Sequence, residues 1–265
     1  MVLVASSCCA AGAGLEYAVI EGGKPVEGKR YAVAIGDGVV AVSEAGDPGR
    51  PRVLFRDNAA EVIFVDHAHR EYTVMTEKWL LDANENAKEA LESMRERMEA
   101  QGENATPQAR RQMSQAQSMM RFMPLMGGLY GDGSANTAIY SRTFTISEFN
   151  GLRCEQYDET IDGERSRIVC LADTESIGLG DDDASLLDRF ISTLARMQAN
   201  GLSEFGFELP IIALHDARVE GVPIAASNPE SNGFVLVGKA TADHDPGLFE
   251  IPGGYLRAEI PLFGF

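Results

Sequence analysis

Residues of the types that catalyse reactions or bind metals are few in this sequence, and they lie in predicted turns. Among the four histidines, only His67 and His69 lie close together, in the stretch Asp66-His67-Ala68-His69. A metal site needs three or four converging ligands, and the neighbouring sequence supplies no others. A polar turn explains this stretch, as it does Asp243-His244-Asp245. We therefore expect no bound metal ion.

Sequence signatures of the common enzyme classes are also missing. The chain has no H-E-x-x-H, no Walker-type lysine loop, no G-x-S-x-G and no G-x-G-x-x-G after a predicted strand. Gly131-Asp132-Gly133-Ser134 precedes a strand and therefore predicts a loop, because phosphate loops open a helix. The acidic run Asp181-Asp182-Asp183 lies at the start of a predicted helix, where carboxylates are stabilising. We expect no catalytic residues, no enzymatic activity and no cofactor.

The four cysteines fall into two groups. Cys8 and Cys9 lie in a leader-like stretch, which leaves Cys154 and Cys170 as an even pair in the remaining chain. An even number of cysteines is typical of proteins that fold in an oxidising compartment. We predict a disulfide between Cys154 and Cys170, with two buried, unbonded thiols as the alternative.

The predicted hairpin around Ile161-Asp162-Gly163 places these two cysteines opposite each other. Gly163 can adopt the left-handed conformation that ends a three-residue hairpin loop. Thr160 then faces Glu164, and the same register places Cys154 directly opposite Cys170. Directly opposed side chains point to the same face and are close enough for a disulfide after slight local twisting.

The first fourteen residues resemble the end of an export signal. Residues 6–14 contain only Ser, Cys, Ala and Gly, and Ala11-Gly12-Ala13 fits the small-x-small rule for signal peptidase. We interpret residues 1–14 as a truncated leader, with a mature chain that begins near Gly14 or Leu15 and is periplasmic or otherwise exported. A flexible cytosolic N-terminus is the alternative. A lipidation site at Cys8 or Cys9 is weakly supported, because no Leu stands three residues before either.

Composition excludes several classes of partner. Asp and Glu total 40 against 23 Lys and Arg, which gives a formal net charge of −17. Such a surface repels nucleic acid and anionic lipid headgroups. No run of 18 apolar residues is present, so we predict no transmembrane helix.

Methionine is concentrated in one part of the chain. Seven of the ten methionines lie between residues 94 and 126, at helical spacing. The simplest interpretation is the core face of two helices. Alternatively, these flexible side chains line an apolar cavity under a helical lid. On that hypothesis the ligand-binding residues are Trp79, Leu91, Met94, Met98, Met113, Met120 and Met123.

The elements that carry these residues form an α+β pattern. Turn residues separate short extended runs at Leu15–Glu21, Arg30–Ile35, Val39–Ser43, Arg52–Phe55, Glu61–Val65 and Arg70–Met75. Strands return at 138–172 and after about residue 205. Helices are predicted near 77–101, 107–123 and 184–199, all against one face of a curved antiparallel sheet. We predict a single domain over 15–265, with a helical insert at 76–126.

Four stretches form a recognisable set of motifs: Val65–Met75; Asn150–Tyr157 followed by Val169–Ala172; Glu220–Ile224; and Phe249–Tyr255. They resemble, respectively, the Tyr-x-x-Met strand, the paired cysteine strands, the Gly-x-Pro turn and the closing Phe-x-x-Pro-x-Gly-Tyr of a bacterial exported family. That family is usually filed as a domain of unknown function and is related to the LolA-like lipoprotein-carrier superfamily. The closing motif has one extra glycine here.

The resemblance implies an incomplete antiparallel barrel, curved round helices, that shelters acyl chains or another hydrophobe. It transfers no catalytic residue, and the methionine-rich insert is longer than in the carriers. The function expected is therefore that of a non-enzymatic periplasmic carrier, with a lipid-like ligand between the sheet and the methionine-rich helices. The alternative is an envelope interaction module that binds a protein partner and no small molecule.

Overall fold

The computed structural model describes residues 10–44, 46, 51–83, 85, 86, 89, 92, 93, 139–161, 163–199, 221–244 and 246–259. Their most extensive element is a sheet of twelve strands: β1 Ala10–Glu21, β2 Lys24–Gly36, β3 Val39–Glu44, β4 Pro51–Arg56, β5 Glu61–Asp66, β6 Glu71–Thr76, β7 Ile139–Phe149, β8 Leu152–Ile161, β9 Glu164–Ala172, β10 Val222–Ser227, β11 Gly233–His244 and β12 Leu256–Arg257.

The sheet is open and almost wholly antiparallel, as predicted. Its strand order is β12-β6-β5-β4-β3-β2-β1-β11-β10-β9-β8-β7. The two-residue pairing of β12 with β6 is parallel. Strand β1 is central and pairs with both β2 and β11, so it joins a meander from the first part of the chain to one from the second. The strands predicted between residues 15 and 75 are all confirmed.

Three helices accompany the sheet in the described residues. Helix α1 covers residues 77–83, and the described positions up to residue 93 continue it. Helix α2, Thr174–Ile177, was not predicted; the Asp173 side chain caps it by accepting from the Glu175 amide. Helix α3, Asp181–Ala199, confirms the predicted helix at 184–199 and begins three residues earlier, with all three aspartates in its first turn. The predicted helix at 107–123 lies outside the described residues.

Contacts group the chain into two units. The first contains the twelve strands, α2 and α3 up to Ala195. The second contains α1 and the end of α3 from Arg196, and within it the Arg196 guanidinium Nε donates to Glu77 Oε2 at 2.8 Å. In α1, Leu80 and Ala83 are buried whereas Leu81 is exposed, as expected of an amphipathic helix.

The core of the first unit lies on both faces of strands β2–β6. On one face, Leu248 and Phe249 of the C-terminal segment pack with Leu54, Ile63 and other buried side chains. On the opposite face, the Phe55 ring contacts Phe190 of α3, with ring centroids 5.5 Å apart. Burial on both faces explains runs such as Val62–Val65, in which every residue is apolar and buried. Helix α3 thus packs on one face, as predicted.

The β8–β9 register differs from the prediction. Ile161 pairs with Glu164, and Thr160 pairs with Arg165 instead of Glu164. A bulge between Glu159 and Thr160 then shifts the rest of the pairing by one more residue. Gly163 does adopt the left-handed conformation, with φ 81°.

The small residues of the predicted leader are partly in the sheet. Ala10 to Gly14 belong to β1, where Ala10 pairs with His244 and Gly14 with Ala240 of β11. Ala13 also pairs with Ile35 of β2 and is buried. The leader itself stays a prediction.

Candidate functional site

Most of the residues predicted to bind a ligand fall outside the described part of the chain. Leu91, Met94, Met98, Met113, Met120 and Met123 are among the residues that the structure does not describe. Trp79 is described: it lies on α1 next to the buried Leu80 and is itself partly buried. The proposed methionine-lined surface therefore stays a prediction.

The predicted disulfide is present. Cys154 and Cys170 are bonded, with their Cα atoms 5.5 Å apart and both side chains buried. They are not directly opposed, because Cys154 pairs with Ala172 and Cys170 with Gln156. The bond therefore crosses the β8–β9 ladder diagonally. The predicted pairing register of β8 and β9 was wrong by two residues at this position.

A cleft of about 510 Å³ lies on the face of β7–β9 that carries Ile146, Tyr157 and Leu171. These three side chains come from adjacent strands, since Ile146 pairs with Glu155 and Tyr157 with Val169. Arg153, Glu155, Asp173 and Thr174 also line it. The cleft is thus lined by both apolar and charged residues, a combination found where protein surfaces bind partners.

Next to the cleft, the edge strand β7 exposes a phenylalanine on a bulge. Residues 143–145 bulge out because Arg142 pairs with Tyr157 while Ile146 pairs with Glu155. Phe144 lies in the left-handed region, with φ 59°, and is 79% exposed. The Arg142 guanidinium lies 5.4 Å from the centre of its ring and forms an ion pair with Glu155. Ile139 and Ile146 of the same strand are exposed as well.

A buried charged cluster lies on the same face of these strands. Glu159 is only 1% exposed and lies between Tyr140 on β7 and Arg167 on β9, which pair with it in the sheet. The Tyr140 hydroxyl and Arg167 Nη2 both donate to Glu159 Oε1, the latter at 2.7 Å. Burial lowers the pKa of the Arg167 guanidinium, but the hydrogen bond and charge of Glu159 outweigh this and raise it overall. The cluster links β7, β8 and β9 through one buried carboxyl group.

The histidine turn forms as the sequence predicts. Asp66 Oδ1 accepts from the amides of Ala68 and His69, and Asp66 Oδ2 lies 2.7 Å from His69 Nδ1. His67 instead contacts the Tyr255 hydroxyl through Nδ1 at 2.8 Å. In the described part of the chain, no three His, Cys, Asp or Glu side chains converge where a metal ion could be held.

No protein-family model matches this chain, and no curated protein matches it. No described helix is both long and apolar enough to cross a membrane.

The features that sequence reasoning missed are the cleft, Phe144 and the cluster around Glu159. Arg142-Thr143-Phe144-Thr145-Ile146 alternates as a regular strand does, so nothing in it signals a bulge. Nothing next to Glu159 in the sequence signals its burial, because Tyr140 is 19 residues away and the predicted β8–β9 register did not pair Glu159 with Arg167. No local pattern would have revealed either feature.

Proposed function

We propose that this protein is a non-enzymatic binding protein of an exported compartment, such as the periplasm, which holds a hydrophobic, lipid-like ligand on its methionine-rich helical segment. The observation that supports this best is the open antiparallel sheet of twelve described strands. An incomplete antiparallel barrel with helices is the build that the resemblance to the LolA-like superfamily implies. The helical residues that are described between positions 77 and 93 lie at the start of the predicted helical insert.

The mechanism is burial of an apolar tail. Each CH₂ group removed from water contributes about 0.8 kcal/mol, so even a short acyl chain binds usefully. Methionine side chains are flexible and polarizable, and they adapt to tails of different shape without a fixed cavity. The Cys154–Cys170 disulfide supports an exported location, because disulfides persist mainly in oxidising compartments.

A titration with a fluorescent fatty acid tests this proposal. Met120→Asp places a charge in the methionine stripe and should weaken probe binding at least tenfold. Met120→Leu keeps an apolar side chain, and Ser93→Asp adds a charge at an exposed position of α1, so both should bind as the parent protein does. Equal binding by all variants, or no binding by the parent, would sink the proposal.

Strand β7 favours a second function, that of an interaction module for a protein partner. Phe144 combines high exposure with a backbone conformation that costs about 1–2 kcal/mol for a non-glycine residue. Strained residues concentrate at functional sites, and aromatic and arginine side chains dominate interface energies. A photo-crosslinking amino acid at position 144, but not at Ser141, should then form one discrete adduct in the native host.

A further inference from the structure

A small cavity in the first unit lies apart from the methionine-rich segment. It has a volume of about 240 Å³ and lies between β1 and the turn that follows α2. Leu15, Ile177 and Leu179 line it, and all three are buried. Ala13 also lines it and is buried. Apart from Lys239 and two glycines, the described residues that line it therefore carry aliphatic side chains.

The turn that forms one wall is rigid. At the end of α2, the Gly178 amide donates to Glu175 O at 3.0 Å, and the Leu179 amide donates to Thr174 O at 3.2 Å. This is a Schellman motif, with Gly178 in the left-handed conformation at φ 81°. A Cβ atom added to Gly178 would contact nothing within 4 Å, so the missing side chain contributes to the open space. Backbone hydrogen bonds thus hold the turn that forms this wall.

Lys239 places a positive charge at this cavity. It pairs with Leu15 across the β1–β11 ladder, so the two side chains lie on the same face of the sheet. Its ammonium donates to the backbone oxygen of Ser176 at 2.8 Å, which tethers the charge beside the turn. An ammonium has three donors, so further donors remain for a ligand. Lys239 is the one charged residue among the described residues that line the cavity.

We propose that this cavity binds a short aliphatic carboxylate, with the hydrocarbon chain against Leu15, Ile177 and Leu179 and the carboxylate on the Lys239 ammonium. The chemistry follows from the lining side chains, since aliphatic groups beside a single cation favour a ligand with an apolar body and one anionic end. At about 30 Å³ for each group of water size, the cavity holds about eight such groups. That size suits a medium-chain acid.

Isothermal titration of the full chain with octanoate and with octanol tests the proposal, since the two differ only in the anionic end. Octanoate should bind about tenfold more tightly than octanol, and its binding should weaken as salt is added, because the Lys239 ammonium is exposed. In a series from butanoate to dodecanoate, each CH₂ should tighten binding about fourfold until the cavity is full near eight carbons.

Two substitutions at Lys239 isolate the charge. Lys239→Met removes the ammonium but keeps the aliphatic stem, and it should reduce octanoate affinity to that for octanol. Lys239→Arg should retain most of the affinity. Lys29→Met, which removes an exposed lysine paired with Glu21, is the matched control and should leave binding unchanged.

The outcomes separate this site from the methionine-rich one. Met120→Asp should not change octanoate binding, and Lys239→Met should not change binding of the long fluorescent fatty acid. Octanoate and octanol of equal affinity, no octanoate binding by the parent protein, or full binding by Lys239→Met would each overturn the proposal.

Discussion

Glu159 and Arg167 show how single residues stabilise the far end of the sheet. The carboxylate is almost fully buried and is held by two donors on the neighbouring strands, Tyr140 and Arg167. A buried ion pair adds little net stability compared with an apolar pair, but removing one partner leaves the other charge without compensation. The contribution of the Glu159–Arg167 ion pair to stability is therefore best tested by comparing a single with a double substitution.

We expect Arg167→Met to lower the free energy of unfolding by about 3–5 kcal/mol, because Glu159 then remains buried and charged without its partner. The double variant Glu159→Leu, Arg167→Met should regain most of that loss. Urea denaturation measures both. Equal destabilisation by the single and double variants would mean that shape, and not charge, is what this site requires.

His69 and Asp66 give a second prediction at this scale, for the dependence on pH. The hydrogen bond and charge of Asp66 raise the pKa of His69 above 6.5, and the bond to His69 lowers the pKa of Asp66 below 3.8. The stabilising effect of His69 is complete below 6.5 and is lost as the pH rises through its raised pKa. The effect of Asp66 is complete above 3.8 and is lost as the pH falls through its lowered pKa.

The turn should therefore be most stable between these limits. An NMR titration should show that Asp66→Asn lowers the pKa of His69. An unaltered His69 titration would show that the contact is not formed in solution.

Strand β7 is the element whose geometry departs most from its sequence pattern. Its bulge sets Phe144 in a left-handed conformation and turns the ring out to solvent beside Arg142. Bulges of this kind on an edge strand hinder pairing with another sheet, which protects against aggregation. The exposed ring itself adds little to stability, which is consistent with a role in binding a partner.

We expect Phe144→Gly to leave the free energy of unfolding within about 0.5 kcal/mol of the parent protein. Relief of the strained φ angle offsets the greater chain entropy of glycine in the unfolded state. By contrast, Phe55→Ala in the core should cost about 3–5 kcal/mol. A large loss for Phe144→Gly in thermal unfolding would mean that the ring is packed against something in solution.

For the whole molecule, the decisive feature is the central position of β1. This strand links the β2–β6 meander to the β7–β11 meander, and its first residues already pair with β11. Cleavage after Ala13 would remove residues 10–13 of β1. The backbone groups of residues 241–244 in β11 would then lose their hydrogen-bond partners, and unpaired backbone groups are costly.

The sequence predicts cleavage at Ala11-Gly12-Ala13, so we expect the mature chain to begin near Gly14 or Leu15 and to lose the pairing of residues 10–13 with β11. N-terminal sequencing of the exported protein measures this directly. Recovery of Gly14 or Leu15 as the first residue would support cleavage at Ala11-Gly12-Ala13 and show that β1 is shorter in the mature chain.

Strand and helix positions were predictable because they depend on local properties. Turn residues such as Gly36-Asp37-Gly38 and the apolar spacing of 184–199 act over a few residues, and they set the elements wherever those elements finally pack. The disulfide was predictable for a related reason. Side chains alternate between faces with a period of two, so a register error of two residues still leaves Cys154 and Cys170 on the same face.

Only the tertiary structure decided which distant strands pair and which residues they bury. The β1–β11 pairing joins residues more than 200 positions apart, and no local pattern encodes it. The same holds for Phe249 covering the β3–β5 face, for the bulges at Phe144 and Glu159, and for the cavity beside Lys239. Each of these features forms where elements from distant parts of the sequence pack together. Such packing depends on both elements, so neither sequence segment alone predicts it.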